Sequence, residues 1–264
     1  MKADVAGRVV AVTGGSSGIG LATVELFLDA GASVAFCGRD AARLGRACEQ
    51  LLGRFPAERM LACEADVLSA EAMQGFARAT EERYGRVDML VNNAGQGHVS
   101  TFADTDDAAW RQEFELKFFS IIRPTRAFLP LLERSDTGAI VCVNSLLATQ
   151  PEPHMVCTSA ARAGVLNLTH SMATEFAPKG IRVNSILIGL VESGQWRRRF
   201  EAREDRAQDW AQWSADLARR KHIALGRLGR PEEAARAIFF LATPLSSFTT
   251  GSCIDVSGGL AKHV

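Results

Sequence analysis

Short β-branched runs alternate with longer stretches of helical periodicity along almost the whole chain. The runs 9–13, 33–37, 60–65, 89–92, 139–144, 182–187 and 253–256 predict seven strands, and the patterns between them predict helices. Three of these helices read as long, near 105–132, 156–177 and 231–241. A strand–helix–strand alternation implies a parallel sheet, and its right-handed crossovers place helices on both faces. The expected architecture is α/β, a doubly wound parallel seven-stranded sheet.

The chain has 264 residues, 47% of them hydrophobic, which is enough for one domain with a large core. Lys plus Arg (30) equals Asp plus Glu (30), so there is no net field to attract nucleic acid or an anionic membrane. No apolar run reaches the roughly 18 residues that a membrane span requires, and the polar start MKADVAGR lacks a signal-peptide core. These features predict a soluble, cytoplasmic protein. The six cysteines are scattered without CxxC pairs and are expected to be small buried thiols, with neither a disulfide framework nor a metal site. One segment, 192–221, is rich in Arg, Asp, Gln and Trp and is expected to form a lid.

Directly after the first predicted strand comes Thr13-Gly14-Gly15-Ser16-Ser17-Gly18-Ile19-Gly20, which leads into a helix. Glycines let the backbone turn tightly and approach a pyrophosphate, and the free N–H groups of a helix start supply partial positive charge. Strand, glycines and helix in that order predict a Rossmann-type dinucleotide site. Its contacts are expected from Gly14, Ser16, Ser17, Gly18, Ile19 and Gly20.

The Gly-x-x-x-Gly-x-Gly spacing resembles that of the short-chain dehydrogenase/reductase family. Further matches come in order: Asp66 with Val67, Asn92-Asn93-Ala94-Gly95, Ser145, the run Pro178 to Asn184, and Gly226 to Glu233. The resemblance implies that Asp66 contacts adenine and that Asn92, Ala94 and Gly95 line the cofactor. Where relatives carry Pro-Gly after the sixth strand this chain has Ile188-Gly189, which leaves backbone contacts from Gly189 and Val191. Gly38 stands where an acidic residue would hold the adenosine ribose, and Arg39 is next to it. An acid there would repel a 2′-phosphate and an Arg fork attracts it, so the expected cofactor is NADP(H). Asp40, a plausible N-cap, works against that charge.

The resemblance also implies a catalytic set of Tyr, Lys, Ser and Asn. Ser145 matches the Ser, but 13 residues on stands Thr158, and four further stands Arg162. The i, i+4 spacing still stacks both side chains on one helix face. Acidity is what changes, because a phenol near pKa 10 can be tuned toward neutrality and an aliphatic hydroxyl cannot. Arg162 retains charge and donors for ribose binding and alkoxide stabilisation, but it does not release protons near neutrality. The fourth position falls on Lys117, whose pKa burial and Arg162 would both depress if it points at the substrate, making it a candidate proton donor. The alternatives are a lysine that snorkels to the surface from the long helix and one that only fills the position. His98 and His154 are other donors in reach of neutral pH, whereas His170, His222 and His263 have no motif context.

In the segment 192–221, Trp196, Arg197, Arg198, Arg199, Phe200, Arg203, Arg206, Trp210 and Trp213 would suit a lid over an aromatic or carboxylate-bearing substrate, or a solvated insert with its Trp residues turned inward. The leading expectation is hydride transfer between nicotinamide and a small carbonyl or alcohol, with weak catalysis. The alternatives are a silent NADP(H)-binding sensor and a non-redox lyase or isomerase that uses Lys117 as base. The resemblance further implies a homotetramer built on the helices near 105–132 and 156–177.

Overall fold

The computed structural model describes residues 5–262, so the first half of the polar start and His263 lie outside the described residues. Seven strands form one parallel sheet in the order β3-β2-β1-β4-β5-β6-β7. They are β1 Val9–Thr13, β2 Ser33–Gly38, β3 Met60–Glu64, β4 Met89–Asn92, β5 Ala139–Ser145, β6 Arg182–Ile188 and β7 Cys253–Val256. All seven fall within one residue of their expected bounds. Every residue of β1 and β4 is buried, and so are the first six of β5, because these strands have neighbours on both sides and helices on both faces. The edge strand β7 alternates exposed and half-buried positions.

Period-two alternation divides the core between the faces. Val9, Ala11, Leu90, Ile140 and Cys142 point to one side, where Phe76, Phe128, Met172 and Phe176 meet them from α3 (Ala70–Tyr84), α5 (Ser120–Leu132) and α6 (Val156–Phe176). Val10, Val12, Met89, Val91 and Val141 point to the other, against Phe27, Leu44 and Ile238 of α1 (Gly18–Asp29), α2 (Ala41–Leu52) and α9 (Pro231–Ala242). Strand order reverses between β1 and β4, and in such sheets the crevice beyond the strand ends is where ligands bind.

The long helix expected over 105–132 is interrupted. After α4 (Asp107–Phe114) the residues Glu115–Phe119 make a π-helical turn before α5 begins. Such a turn inserts an extra residue and shifts the helical phase of α5 relative to α4. Lys117 lies in this turn. Gly164 of α6 accommodates it, since a Cβ at that position would come 2.5 Å from the Phe118 ring.

The segment after β6 folds as two short helices, α7 (Gly194–Glu201) and α8 (Trp210–Arg220), the second started by a capping box between Asp209 and Gln212. Trp196, Phe200, Trp210 and Trp213 pack on one another with ring centroids 5.4–6.4 Å apart. Arg197 and Arg203 lie over Trp210 and Phe200. The aromatic groups are therefore spent largely on holding the insert together. The cysteine expectation needs correction: Cys37, Cys142 and Cys157 are buried, but Cys48 and Cys63 are only half-buried and Cys253, on the edge strand, is exposed.

Candidate active site

A cavity of about 820 Å³ opens over the ends of β1, β4, β5 and β6. Its floor begins at the glycine loop. Gly14 (φ 66°) and Gly18 (φ 55°) adopt left-handed backbone, and a Cβ on Gly18 would meet no atom within 4 Å, so that position faces open cavity. Ser17 is the N-cap of α1, yet its side chain makes no capping bond, which leaves the hydroxyl and the helix start turned to whatever enters. Asn93 secures the loop, with its Nδ2 donating to the carbonyls of Thr13 and Gly14, both at 3.1 Å. These features fit the phosphates of a dinucleotide.

Of the expected cofactor residues, Gly14, Ser16, Ser17, Gly18, Ile19, Arg39, Asp66, Val67, Ala94, Gly95, Gly189, Val191 and Arg162 line this cavity. Two do not. Asn92 is buried and its Nδ2 donates to Thr125 Oγ1 at 3.1 Å, so its neighbour Asn93 takes the place at the wall. Alternation along β4 turns consecutive side chains to opposite faces, and the motif alone does not say which asparagine faces the ligand. Gly20 serves packing, since a Cβ there would come 2.1 Å from the Gly14 carbonyl oxygen. Arg43 joins Arg39 at the adenosine end and pairs with Asp40 at 3.3 Å. Asp40 also accepts the Arg43 N–H at 2.9 Å as the N-cap of α2, so its charge is engaged beside Arg39.

At the far end of the cavity Ser145, Thr158 and Arg162 converge. Ser145 ends β5. Asn144 joins that strand to α6, accepting from the Ser145 N–H at 2.9 Å and donating to the Arg162 carbonyl at 3.1 Å. Arg162 Nη1 donates to the Val143 carbonyl at 2.9 Å, while its Nε is buried with no acceptor among the described residues. Burial lowers this guanidinium to about 10, which still leaves it charged at neutral pH.

Thr158 Oγ1 accepts from the His98 N–H at 3.3 Å and donates to Glu113 Oε1 in a short contact. The His98 carbonyl, 3.3 Å away, is a second acceptor for the same hydrogen. Glu113 is buried on α4 and pairs with Lys117 Nζ at 2.7 Å, and that ammonium also donates to the Gln96 carbonyl at 2.5 Å. Burial, with the nearby Arg162 charge adding to it, pulls Lys117 down to about 8 against the support of Glu113. The direction expected from the sequence is therefore present, but the placement differs. Lys117 is 2% exposed and is absent from the cavity lining, so its ammonium sits behind Thr158.

Glu113 belongs to none of the family-like motifs in the sequence. Its signal was available, because Glu113 and Lys117 are four apart and so share a helix face. His154 does line the cavity, with Nε2 3.1 Å from Glu152, which also holds Lys221 of the insert at 2.8 Å. The His98 side chain is exposed and outside the lining, so His98 acts on Thr158 through its main chain.

A family model described as enoyl-(acyl carrier protein) reductase matches residues 14–261. The chain is 34% identical over 255 residues to galactitol 2-dehydrogenase (L-tagatose-forming) of Cereibacter sphaeroides, an alignment that spans 96% of this chain and 94% of that one. It belongs to the short-chain dehydrogenase/reductase family. Among solved structures, this family member is similar to a short-chain oxidoreductase of Pseudomonas aeruginosa PAO1 containing an atypical catalytic center. The NADPH-bound form of that protein is 67% identical, covers 99% of this chain and 100% of its own, and superposes with a TM-score of 0.95. L-sorbose reductase of Gluconobacter frateurii, complexed with NADPH and L-sorbose, is 31% identical with full coverage of both chains and a TM-score of 0.94.

Proposed function

We propose that this family member is an NADP(H)-dependent oxidoreductase that moves a hydride between the nicotinamide and a small carbonyl or secondary alcohol, with slow turnover. The observation that carries the reading is the convergence of Ser145, Thr158 and Arg162 at one end of a cavity whose other end is a phosphate cradle. The NADPH held by two similar structures supports the choice of cofactor, as does Arg39, which has no ion-pair partner among the described residues, beside an engaged Asp40.

When bound, NADPH supplies the hydride. The glycine loop with Ser16 and Ser17 would hold its phosphates, Arg39 and Arg43 its 2′-phosphate, Asp66 the adenine, and Arg162 the nicotinamide ribose. Ser145 and Thr158 hold the carbonyl oxygen, and the charge of Arg162 favours the negative oxygen that forms as the hydride arrives. General acid catalysis contributes on the order of 100-fold to 10,000-fold, and Thr158 is a far weaker acid than a tuned phenol. Turnover on simple ketones is therefore expected to fall well below that of a relative with Tyr and Lys.

The insert 192–221 would act as a lid, since Trp196 lines the cavity and Lys221 is tied to Glu152 across its mouth. Six free thiols suit a reducing cytoplasmic setting, and no helix among the described residues is long and apolar enough to cross a membrane. A homotetramer through the α4–α5 and α6 faces is part of the same reading, and the half-exposed Phe114 on α4 offers apolar surface for it. Light scattering checks the mass.

The deciding experiment is NADPH consumption across a broad carbonyl panel, beside direct cofactor titration. Product alcohol with multiple turnovers supports the enzyme. Tight NADPH binding with no product from any carbonyl would replace it with the silent-sensor reading.

A further inference from the structure

We propose that Glu113 is a positioning residue for proton transfer, linking Lys117 to the Thr158 hydroxyl so that the proton a phenol would supply comes from beneath the cavity floor. The inference rests on the oxidoreductase reading above. Its basis is the unbroken path Lys117 Nζ to Glu113 Oε1 at 2.7 Å and Glu113 Oε1 to Thr158 Oγ1 in direct contact. Each of the three residues is no more than 4% exposed. A carboxylate, an ammonium and a hydroxyl buried together are coupled strongly, because water does not screen them.

Thr158 alone has a difficulty that this path resolves. Its one hydrogen has acceptors only away from the cavity, in Glu113 Oε1 by a short contact and in the His98 carbonyl at 3.3 Å, and its oxygen already accepts from the His98 N–H at 3.3 Å. While Glu113 remains a carboxylate it holds that hydrogen. Once Glu113 carries a proton it becomes a donor to Thr158 Oγ1, and the hydroxyl is free to turn its own hydrogen toward the cavity.

In the reducing direction the carbonyl carbon gains a hydride, and the π electrons move onto oxygen. The new alkoxide takes the proton of Thr158, and a new O–H bond forms as the Thr158 O–H bond breaks. The Lys117 ammonium has passed its proton to the Glu113 carboxylate, which hands it on to Thr158 as Thr158 gives up its own, so Glu113 ends as the carboxylate it began as. The net proton comes from Lys117, which is left as a neutral amine and is recharged from water. Alcohol oxidation runs the same steps backwards and needs Lys117 neutral at the start.

The charged or titratable groups facing Lys117 are Glu113 from α4 and Arg162 from α6. Glu113 supports the ammonium and Arg162 opposes it, so removing the Glu113 charge must move the titration of Lys117 downward.

The test uses the full chain with 15N-labelled lysine, tracking the Lys117 side chain by NMR against pH in the absence of cofactor. Carbonyl reduction and NADPH affinity are measured on the same variants. In Glu113→Gln, Lys117 is expected to titrate at least one pH unit lower, and kcat for reduction to fall about 100-fold with its pH profile displaced. NADPH affinity should change less than threefold. Thr158→Val is expected to cut kcat similarly while leaving the Lys117 titration in place, and Glu113→Asp to recover part of the rate.

An unmoved Lys117 titration in Glu113→Gln, or a wild-type rate and pH profile in that variant, overturns the relay. If Glu113→Gln does not fold, the comparison of Glu113→Asp with Thr158→Val decides it, and an unchanged pH profile in both overturns it. Absence of turnover in the wild-type protein overturns the oxidoreductase reading itself. The Lys117 titration in Glu113→Gln, read without cofactor or turnover, separates that failure from failure of the relay.

Discussion

Glu113 and Lys117 place a carboxylate oxygen and an ammonium nitrogen 2.7 Å apart in a site closed to solvent, directly behind Thr158, a residue that lines the cavity. Burying an ion pair in this way adds little to stability on balance, because desolvation offsets the attraction. Breaking such a pair is another matter, since it leaves one charge unpaired. The pair therefore makes more sense as a device that holds a titratable group next to the chemistry.

On the proposed relay, the pH dependence of turnover should follow Lys117, which burial lowers from the ordinary 10.5 to about 8. Carbonyl reduction needs the ammonium, so kcat for reduction should be flat below about pH 7 and should fall as pH rises through about 8. Alcohol oxidation needs the neutral amine and should rise over the same interval. Lys117→Met should abolish both inflections. An unchanged pH profile in that variant would remove Lys117 from the proton path.

Cofactor selectivity should reside in Arg39. It is exposed at the adenosine end of the cavity, while the adjacent Asp40 is occupied by α2 and Arg43. Arg39→Ala is expected to weaken NADPH binding by about 1.5–3 kcal/mol, roughly tenfold to a hundredfold, and to leave NADH binding nearly unchanged. Fluorescence titration with both cofactors measures this. Equal losses for the two would assign Arg39 to general charge attraction.

Two glycine substitutions should have opposite effects. A Cβ at Gly20 would come 2.1 Å from the Gly14 carbonyl, so Gly20→Ala must displace the loop and is expected to cost about 1–3 kcal/mol and to weaken NADPH binding. Gly45 lies within α2 with nothing within 4 Å of an added Cβ, so Gly45→Ala should stabilise by about 0.5–1 kcal/mol. Thermal unfolding with and without NADPH separates the two.

Away from the cavity, Asp88 is fully buried just before β4. It accepts the Val9 N–H at 2.9 Å and pairs with Arg86 at 2.6 Å and Arg8 at 3.3 Å. Asp88→Ala would leave the buried Val9 donor unsatisfied and both arginines without this partner. A loss of about 3 kcal/mol in unfolding free energy is expected, with NADPH affinity unchanged at temperatures where the variant is folded. Urea denaturation checks it.

The sheet was legible in the sequence because apolar runs flanked by turn residues determine where buried parallel strands begin and end, as the match at β1, β4 and β7 shows. The phosphate cradle was legible for a similar reason, since a tight turn before a helix needs its glycines in order. What the sequence left open depends on side-chain direction. Asn92 and Asn93 are adjacent, and only the pleat decides that Asn93 reaches the wall. Lys117 is one residue in a π-turn, a break in helical phase that no local periodicity announces, so its ammonium ends beneath Thr158 and outside the cavity wall. Glu113 was missed because its significance comes from Thr158, 45 residues later in the chain.

The most direct test of the account is isotope transfer. NADPH carrying deuterium at the reactive nicotinamide carbon is incubated with the protein and a panel of small aldehydes and ketones, and products are read by mass spectrometry. The account predicts an alcohol with one deuterium on the former carbonyl carbon, formed over many turnovers and diminished about 100-fold in Thr158→Val. NADPH bound tightly with no deuterium in any product would contradict it.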